Sequence, residues 1–90
     1  MPVLLITYDH STMSLMLDPV PNFVKEYKHV QLSKSSYAIE TDEKTMTIYH
    51  KIIPFLSINA CLFIVTLTQP FACQGIEHVR EWLRKHLPEN

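Results

Sequence analysis

The strongest constraint on the fold is an uncharged run from Ala60 to Thr68 (ACLFIVTLT). Its β-branched and aromatic residues favour a strand, and Pro70 ends the run. A second run, Pro2 to Tyr8 (PVLLITY), is apolar at nearly every position and ends at Asp9. Because such a strand needs cover on both faces, this run predicts a buried central strand. Both runs are too short to span a membrane, so they predict the sheet of a globular domain.

Two shorter extended segments lie between these runs. The segments from His29 to Leu32 and from Ser35 to Thr41 predict a hairpin, with Ser33 and Lys34 at its turn. After the long run, Phe71 to Gln74 predicts a fifth, short strand. The residues from Asp9 to Pro21 (DHSTMSLMLDPVP) are rich in turn formers and predict a loop.

Helical patterns account for three segments. Asn22 is a suitable cap for a short helix from Phe23 to Lys28. Asp42 is predicted to cap the second helix, and Glu43 suits its positive end. Pro54 is expected to end or kink this helix. Its predicted buried stripe consists of Ile48, Ile52, Phe55 and Leu56.

The third helix is predicted from Ile76 to Leu87, because apolar residues recur there at helical spacing. Its predicted buried stripe consists of Ile76, Val79, Leu83 and Leu87. Arg84 and Lys85 lie near the negative end of this helix, where cations are favourable. Pro88 ends it.

The resulting order, β-α-β-β-α-β followed by a helix, is the split-βαβ pattern of ferredoxin-like domains. We therefore predict one α+β domain over residues 1–90, with strand order 4-1-3-2. The most apolar strand, Ala60 to Thr68, would then lie at a sheet edge, where it needs cover. Candidates for the cover are the Phe71 to Gln74 segment, the C-terminal helix or a second subunit. We interpret this feature as an indication of a homodimer.

Composition excludes some classes of function. The chain has 90 residues and a net charge of −1, so it lacks the basic footprint of most nucleic-acid-binding domains. Its single glycine, Gly75, argues against a glycine-rich phosphate loop. Of the two cysteines, Cys61 is expected to be a small buried residue. The sparse cysteines, with no secretory signal, predict a reduced, cytoplasmic protein without a membrane partner.

Five segments, in this order, carry a family resemblance: VLLITYD, LSKSSYAIET, YHKIIPFL, ACLFIVTLT and VREWLRKHL. Over roughly residues 3–87 the chain resembles the small SinR-like family of bacterial and phage proteins. That family is related to the superfamily of the CRISPR-associated endoribonuclease 2 and virulence-associated protein D. The resemblance implies a ferredoxin-like fold and often a dimer, of phage or mobile-element origin.

The catalytic relatives are nucleases that depend on a metal such as Mg²⁺ or Mn²⁺, and an Asp ends their first strand. Asp9 matches that position, and Ser35, Ser36 and Tyr37 match the pattern before the third strand. From the residues themselves, Asp9 is either a metal ligand or a cap for the backbone of Ser11 or Thr12.

Other candidate site residues have similar alternatives. His10 is a general base or an exposed loop residue. Four apolar residues in the predicted loop either pack into the core or bind a protein: Met13, Leu15, Met16 and Leu17. A modest basic group either contacts phosphates or forms a solvated face, and Ser35 and Ser36 are candidate phosphate contacts beside it. The basic group consists of Lys25, Lys28 and Lys34, with His29.

Two hypotheses of function follow. The first is a dimeric, metal-dependent endonuclease that acts on RNA or DNA through Asp9 of each subunit. The second is a non-enzymatic dimeric module that binds another protein. The family resemblance and Asp9 favour the nuclease, whereas the net charge and the thin basic group favour the module.

Overall fold

The computed structural model describes residues 1–9, 19–56 and 58–89. The predictions for the loop around residues 10–18 lie outside the described residues; they concern His10, the capping partners Ser11 and Thr12, and the cluster Met13, Leu15, Met16 and Leu17. The elements in chain order are β1 (Val3–Asp9), α1 (Val20–Val24), β2 (Lys28–Ser33), β3 (Ser36–Glu40), α2 (Thr45–Ile52), a 3-10 turn (Ile53–Phe55), β4 (Cys61–Leu67) and α3 (Glu77–His86).

The four strands form one antiparallel sheet in the order β2-β3-β1-β4. β1 is central and bonds to β3 on one side and β4 on the other. The predicted α+β class is confirmed, as are all four main strands. The predicted fifth strand is wrong: the segment from Phe71 to Gln74 has no regular secondary structure.

One face of the sheet packs against α1, α2 and the 3-10 turn. Alternate residues of a strand point to the same face, so Leu4, Ile6 and Tyr8 of β1 all enter this core. The other buried members are Val20, Val24, Tyr37, Ile39, Ile48, Ile52 and Leu56. This layer holds most of the fully buried side chains and fixes the position of β1.

The opposite face is covered by α3 over only part of its area. Leu83 of α3 and Leu87, the residue after its end, pack on Val3, Val30 and Ala38 of the sheet. The half-buried residues around this second cluster are Leu67, Phe71, Val79 and Trp82. The Gln69 backbone N–H donates to the Pro88 carbonyl at 2.9 Å, and the Gln69 amide donates to the Leu87 carbonyl at 3.0 Å. These bonds attach the end of α3 to the segment that follows β4.

Several predicted helix boundaries are wrong. α1 begins at Val20 and ends at Val24, with Pro19 rather than Asn22 at its N-cap. Proline is tolerated in a first helical turn, and Val20 and Val24 anchor this one by burial. α2 begins at Thr45 without a side-chain cap, so Asp42 does not cap it. The Glu43 N–H donates instead to Thr41 Oγ1 at 3.0 Å.

Three residues that were predicted to be buried are exposed. Pro54 converts the end of α2 to a 3-10 turn, which changes the residue spacing and places Phe55 at 63% exposure. Ile76 has an extended backbone before α3 and does not share the helical stripe. Cys61 begins an edge strand and is exposed as well.

Candidate functional site

β4 is an edge strand, and its exposed surface is apolar. Its only neighbour in the sheet is β1, so its outer backbone groups have no partner strand among the described residues. The sequence CLFIVTL contains no charged residue and no proline. Phe63 is 61% exposed and Val65 is 46% exposed. Natural edge strands usually carry charges, prolines or bulges that prevent pairing with another chain.

The opposite edge, β2, has those protective features. It begins with Lys28, and its pairing with β3 is irregular between Gln31 and Ser33. α3 also contacts β2, since Val30 lies in the cluster beneath that helix. The two edges therefore differ: β2 has features that oppose pairing with another chain, whereas β4 has none of them within residues 1–9, 19–56 and 58–89.

An uncovered part of the sheet face adjoins the β4 edge. Directly opposed residues of antiparallel strands share a face, and β4 residues Cys61, Phe63 and Val65 oppose Asp9, Thr7 and Leu5. We call Leu5, Cys61, Phe63 and Val65 the β4 patch. α3 covers the neighbouring part of this face, around Val3 and Ala38, and leaves these side chains partly or largely exposed.

Asp9 lies at one end of the sheet, as predicted from its place after the first strand. It is exposed and opposes Cys61. Beside it, the Tyr8 N–H donates to the Ser35 carbonyl at 3.1 Å, and the hydroxyls of Thr7 and Ser36 are 3.0 Å apart.

The predicted nucleic-acid-binding residues do not form one surface. Lys34 belongs to the turn between β2 and β3, so it lies at the same end of the sheet as Ser35, Ser36 and Asp9. Lys28 opposes Glu40, which in turn opposes Val3 at the other end. Lys25 directly follows α1, three residues before Lys28. The sheet therefore separates the lysines into two groups.

One chain does not supply a metal centre from its described residues. No group of three His, Cys, Asp or Glu side chains converges within residues 1–9, 19–56 and 58–89. Asp9 alone offers too few oxygen ligands for Mg²⁺ or Mn²⁺. Among the described residues of one chain, Asp9 therefore has no second carboxylate beside it with which to hold such a metal.

A hydrogen-bonded cluster of Tyr27, Glu43 and Lys51 joins the start of β2 to α2. The Tyr27 hydroxyl donates to Glu43 Oε2 at 2.5 Å, and Lys51 Nζ donates to Glu43 Oε1. The hydrogen bond from Lys51 is the main reason that the pKa of Glu43 lies below its ordinary value of 4.5. Burial, followed by the bond to Glu43, raises the pKa of Tyr27. Sequence reasoning missed this cluster because its members are 16 and 8 residues apart.

The Glu43→Gln variant tests the stability that this cluster contributes. The pKa of Glu43 is lower in the folded chain than in the unfolded chain, so the ionised carboxylate stabilises the fold at pH values above the unfolded pKa. This contribution is lost as the pH falls through the folded-state pKa. We expect Glu43→Gln to lower the free energy of unfolding by about 1 kcal/mol at pH 7, because the pair is partly exposed. The wild-type and variant values should converge below pH 4.5. Urea unfolding across pH measures this, with exposed Glu26→Gln as the control.

A constant difference between wild type and Glu43→Gln down to strongly acid pH would contradict this account. At alkaline pH a second loss is expected, since the pKa values of Tyr27 and Lys51 are both raised. The protonated forms of Tyr27 and Lys51 stabilise the fold at pH values below their ordinary pKa values, which are 10.0 for Tyr27 and 10.5 for Lys51. Stability from the cluster is therefore lost as pH rises through the folded values.

Comparisons with known proteins add no identification. No protein-family model, no curated protein and no solved structure matches this chain. Among the helices that the structure describes, none has the length and apolar character needed to cross a membrane.

Proposed function

We propose that this protein is a homodimeric interaction module that joins a second copy of itself through β4. The observation that carries the proposal is the contrast between the two sheet edges. β2 has a lysine and a pairing irregularity. β4 offers seven uncharged residues, the exposed side chains Phe63 and Val65, and an outer backbone without a partner strand in the described part of the chain. Strand addition at such an edge satisfies backbone hydrogen bonds and covers apolar surface at once.

A two-fold axis suits this edge. In an isologous dimer the same patch serves both subunits, and two copies of one strand related by such an axis are antiparallel. The outward N–H and C=O groups of one β4 then meet those of the other. The β4 patches of the two copies become neighbours on one face, so Phe63 and Val65 lose part of their contact with water. Apolar burial and backbone hydrogen bonding therefore act in the same direction.

The proposal includes a ferredoxin-like fold and a relationship to the SinR-like family. The strand order β2-β3-β1-β4 and the antiparallel pairing support that fold. We also place the module in the cytoplasm, where a reducing environment keeps exposed thiols free. Cys61 and Cys73 are both exposed and unpaired, which supports this location.

Sedimentation equilibrium over a series of protein concentrations tests the proposal. We expect a reversible monomer–dimer equilibrium whose dimer fraction rises with concentration. A chain that stays monomeric at every concentration would contradict the proposal. Trimers or open-ended assemblies would also contradict it, because isologous pairing of one edge closes at two subunits.

Nucleic-acid cleavage is the second candidate function, and one observation favours it. Exposed Asp9 lies at the same end of the sheet as Lys34, Ser35 and Ser36, so an acidic group adjoins potential phosphate contacts. Such a protein would be a metal-dependent endonuclease in which another copy supplies the second Asp9. Asp9 opposes Cys61 at the start of β4, so antiparallel β4 pairing separates the two Asp9 residues, and this candidate needs a different mode of association.

Cleavage assays on labelled RNA and duplex DNA, with Mg²⁺ or Mn²⁺, test the nuclease candidate. If it is correct, the wild type cleaves and Asp9→Ala loses at least about a hundredfold in rate, as expected when an essential group is removed. Asp42→Ala, at an exposed site beyond the end of β3, is the matched control. Equal rates for wild type and Asp9→Ala, or no cleavage by a confirmed dimer, would remove this candidate.

A further inference from the structure

A pocket of about 330 Å³ lies between α1 and the 3-10 turn, on the opposite side of the sheet from the β4 patch. Its lining residues are Pro19, Asn22, Phe23, Lys51, Ile52 and Phe55. Ile52 is buried, while Phe23 and Phe55 present partly or largely exposed rings. Binding sites for small molecules typically combine such apolar walls with a few polar groups, and this volume lies at the small end of their range.

The charged group among the lining residues is held in place by its neighbours. Glu43 Oε1 accepts a hydrogen bond from Lys51 Nζ, and Tyr27 donates to the other oxygen of the same carboxylate. An ammonium group has three N–H donors, so this arrangement orients Lys51 and leaves donors for another partner. The exposed carboxamide of Asn22 is the second polar side chain among the lining residues.

We propose that this pocket binds a small amphipathic monoanion, a carboxylate on a flat apolar body. The body would lie against the Phe23 and Phe55 rings and the Ile52 side chain, and the carboxylate would accept hydrogen bonds from Lys51. A single ammonium that already has one carboxylate partner suits a monoanion better than a doubly charged phosphate. This site would also account for Phe55, which otherwise places a 63% exposed aromatic ring beside an open pocket.

The probe for the first experiment is 2-naphthoate, which has two fused rings and one carboxylate. It would be titrated into the ¹⁵N-labelled full chain and followed by two-dimensional NMR. We expect saturable shifts of the amides around Phe23, Lys51 and Phe55, with those of the β4 patch unchanged. The neutral analogue 2-naphthylmethanol should bind about tenfold more weakly, because it lacks the charge-assisted hydrogen bond.

Two variants separate the charge from the apolar wall. Lys51→Gln should weaken 2-naphthoate binding about tenfold and bring it close to that of the neutral analogue. Lys85→Gln makes the same charge change on exposed α3 and should bind like the wild type. Phe55→Ala leaves the cluster of Tyr27, Glu43 and Lys51 intact and should weaken the binding of both probes several-fold. The dispersion of the amide spectrum checks that each variant is folded.

Equal affinity of the wild type for the two probes would overturn the proposal, since it would show apolar adsorption without anion recognition. Shifts confined to residues outside the pocket would overturn it as well. Unchanged 2-naphthoate binding by folded Lys51→Gln and Phe55→Ala would have the same consequence. The pocket and the β4 edge share no residue, so the result does not depend on the oligomeric state.

Discussion

Val65→Lys is expected to convert the proposed β4 dimer into a monomer. Val65 lies at the middle of the β4 edge and is 46% exposed, so the lysine should be tolerated by the folded subunit. In the proposed dimer the substitution occurs twice, and it places two ammonium groups in an apolar interface. Like charges at an interface cost several kcal/mol, so the dimer dissociation constant should rise about a hundredfold or more.

Leu32→Lys is the matched control for this experiment. Leu32 lies on β2, the opposite edge, and is 38% exposed. It receives the same change from an apolar to a cationic side chain on an edge strand. Sedimentation equilibrium should give the wild-type dissociation constant for Leu32→Lys and a much larger one for Val65→Lys. Equal association of the two variants would place the interface away from β4.

Ile48→Ala is expected to have the largest effect on stability. Ile48 lies at 0% exposure in the core between α2 and the sheet, and it packs in one cluster with Leu4, Ile6 and Ile39. Removing its branched side chain leaves a cavity that the rigid sheet beneath it cannot close. Such substitutions lower the free energy of unfolding by about 2–5 kcal/mol, and we expect about 3 kcal/mol here.

Urea unfolding at one fixed protein concentration measures this effect, because the proposed dimerisation would make the apparent stability depend on concentration. Met46→Ala, on the exposed face of the same helix, is the control and should change the unfolding free energy by about 0.5 kcal/mol or less. A similar loss for both variants would indicate that α2 does not pack on the sheet as described.

The sequence was sufficient to predict the sheet because its signals are local. The runs that became β1 and β4 are apolar over strand length, and both lie within a residue or two of their predicted bounds. The segment from Phe71 to Gln74 forms no strand, and Phe71 packs against the cluster that contains Leu83 and Leu87 of the C-terminal region instead. Tertiary packing therefore decided the outcome where local preference was weak.

The candidate sites were less predictable because they depend on distant residues. The position of Asp9 at a strand end follows from its neighbours in sequence. The separation of Lys28 from Lys34 depends on the direction of β2, which places them at opposite ends of one strand and turn. The partners of Glu43 are likewise fixed by packing, and no sequence spacing indicates them.

Intermolecular NMR contacts in a mixed sample test the central claim most directly. Half of the protein molecules in the sample would carry ¹³C and ¹⁵N, and the other half would be unlabelled. Filtered nuclear Overhauser effects would then arise only between subunits. We predict contacts between the backbone protons of β4 in one copy and those of β4 in the other, with further contacts from Phe63 and Val65. Intermolecular contacts located only on other elements, or a monomer that gives none, would contradict the account.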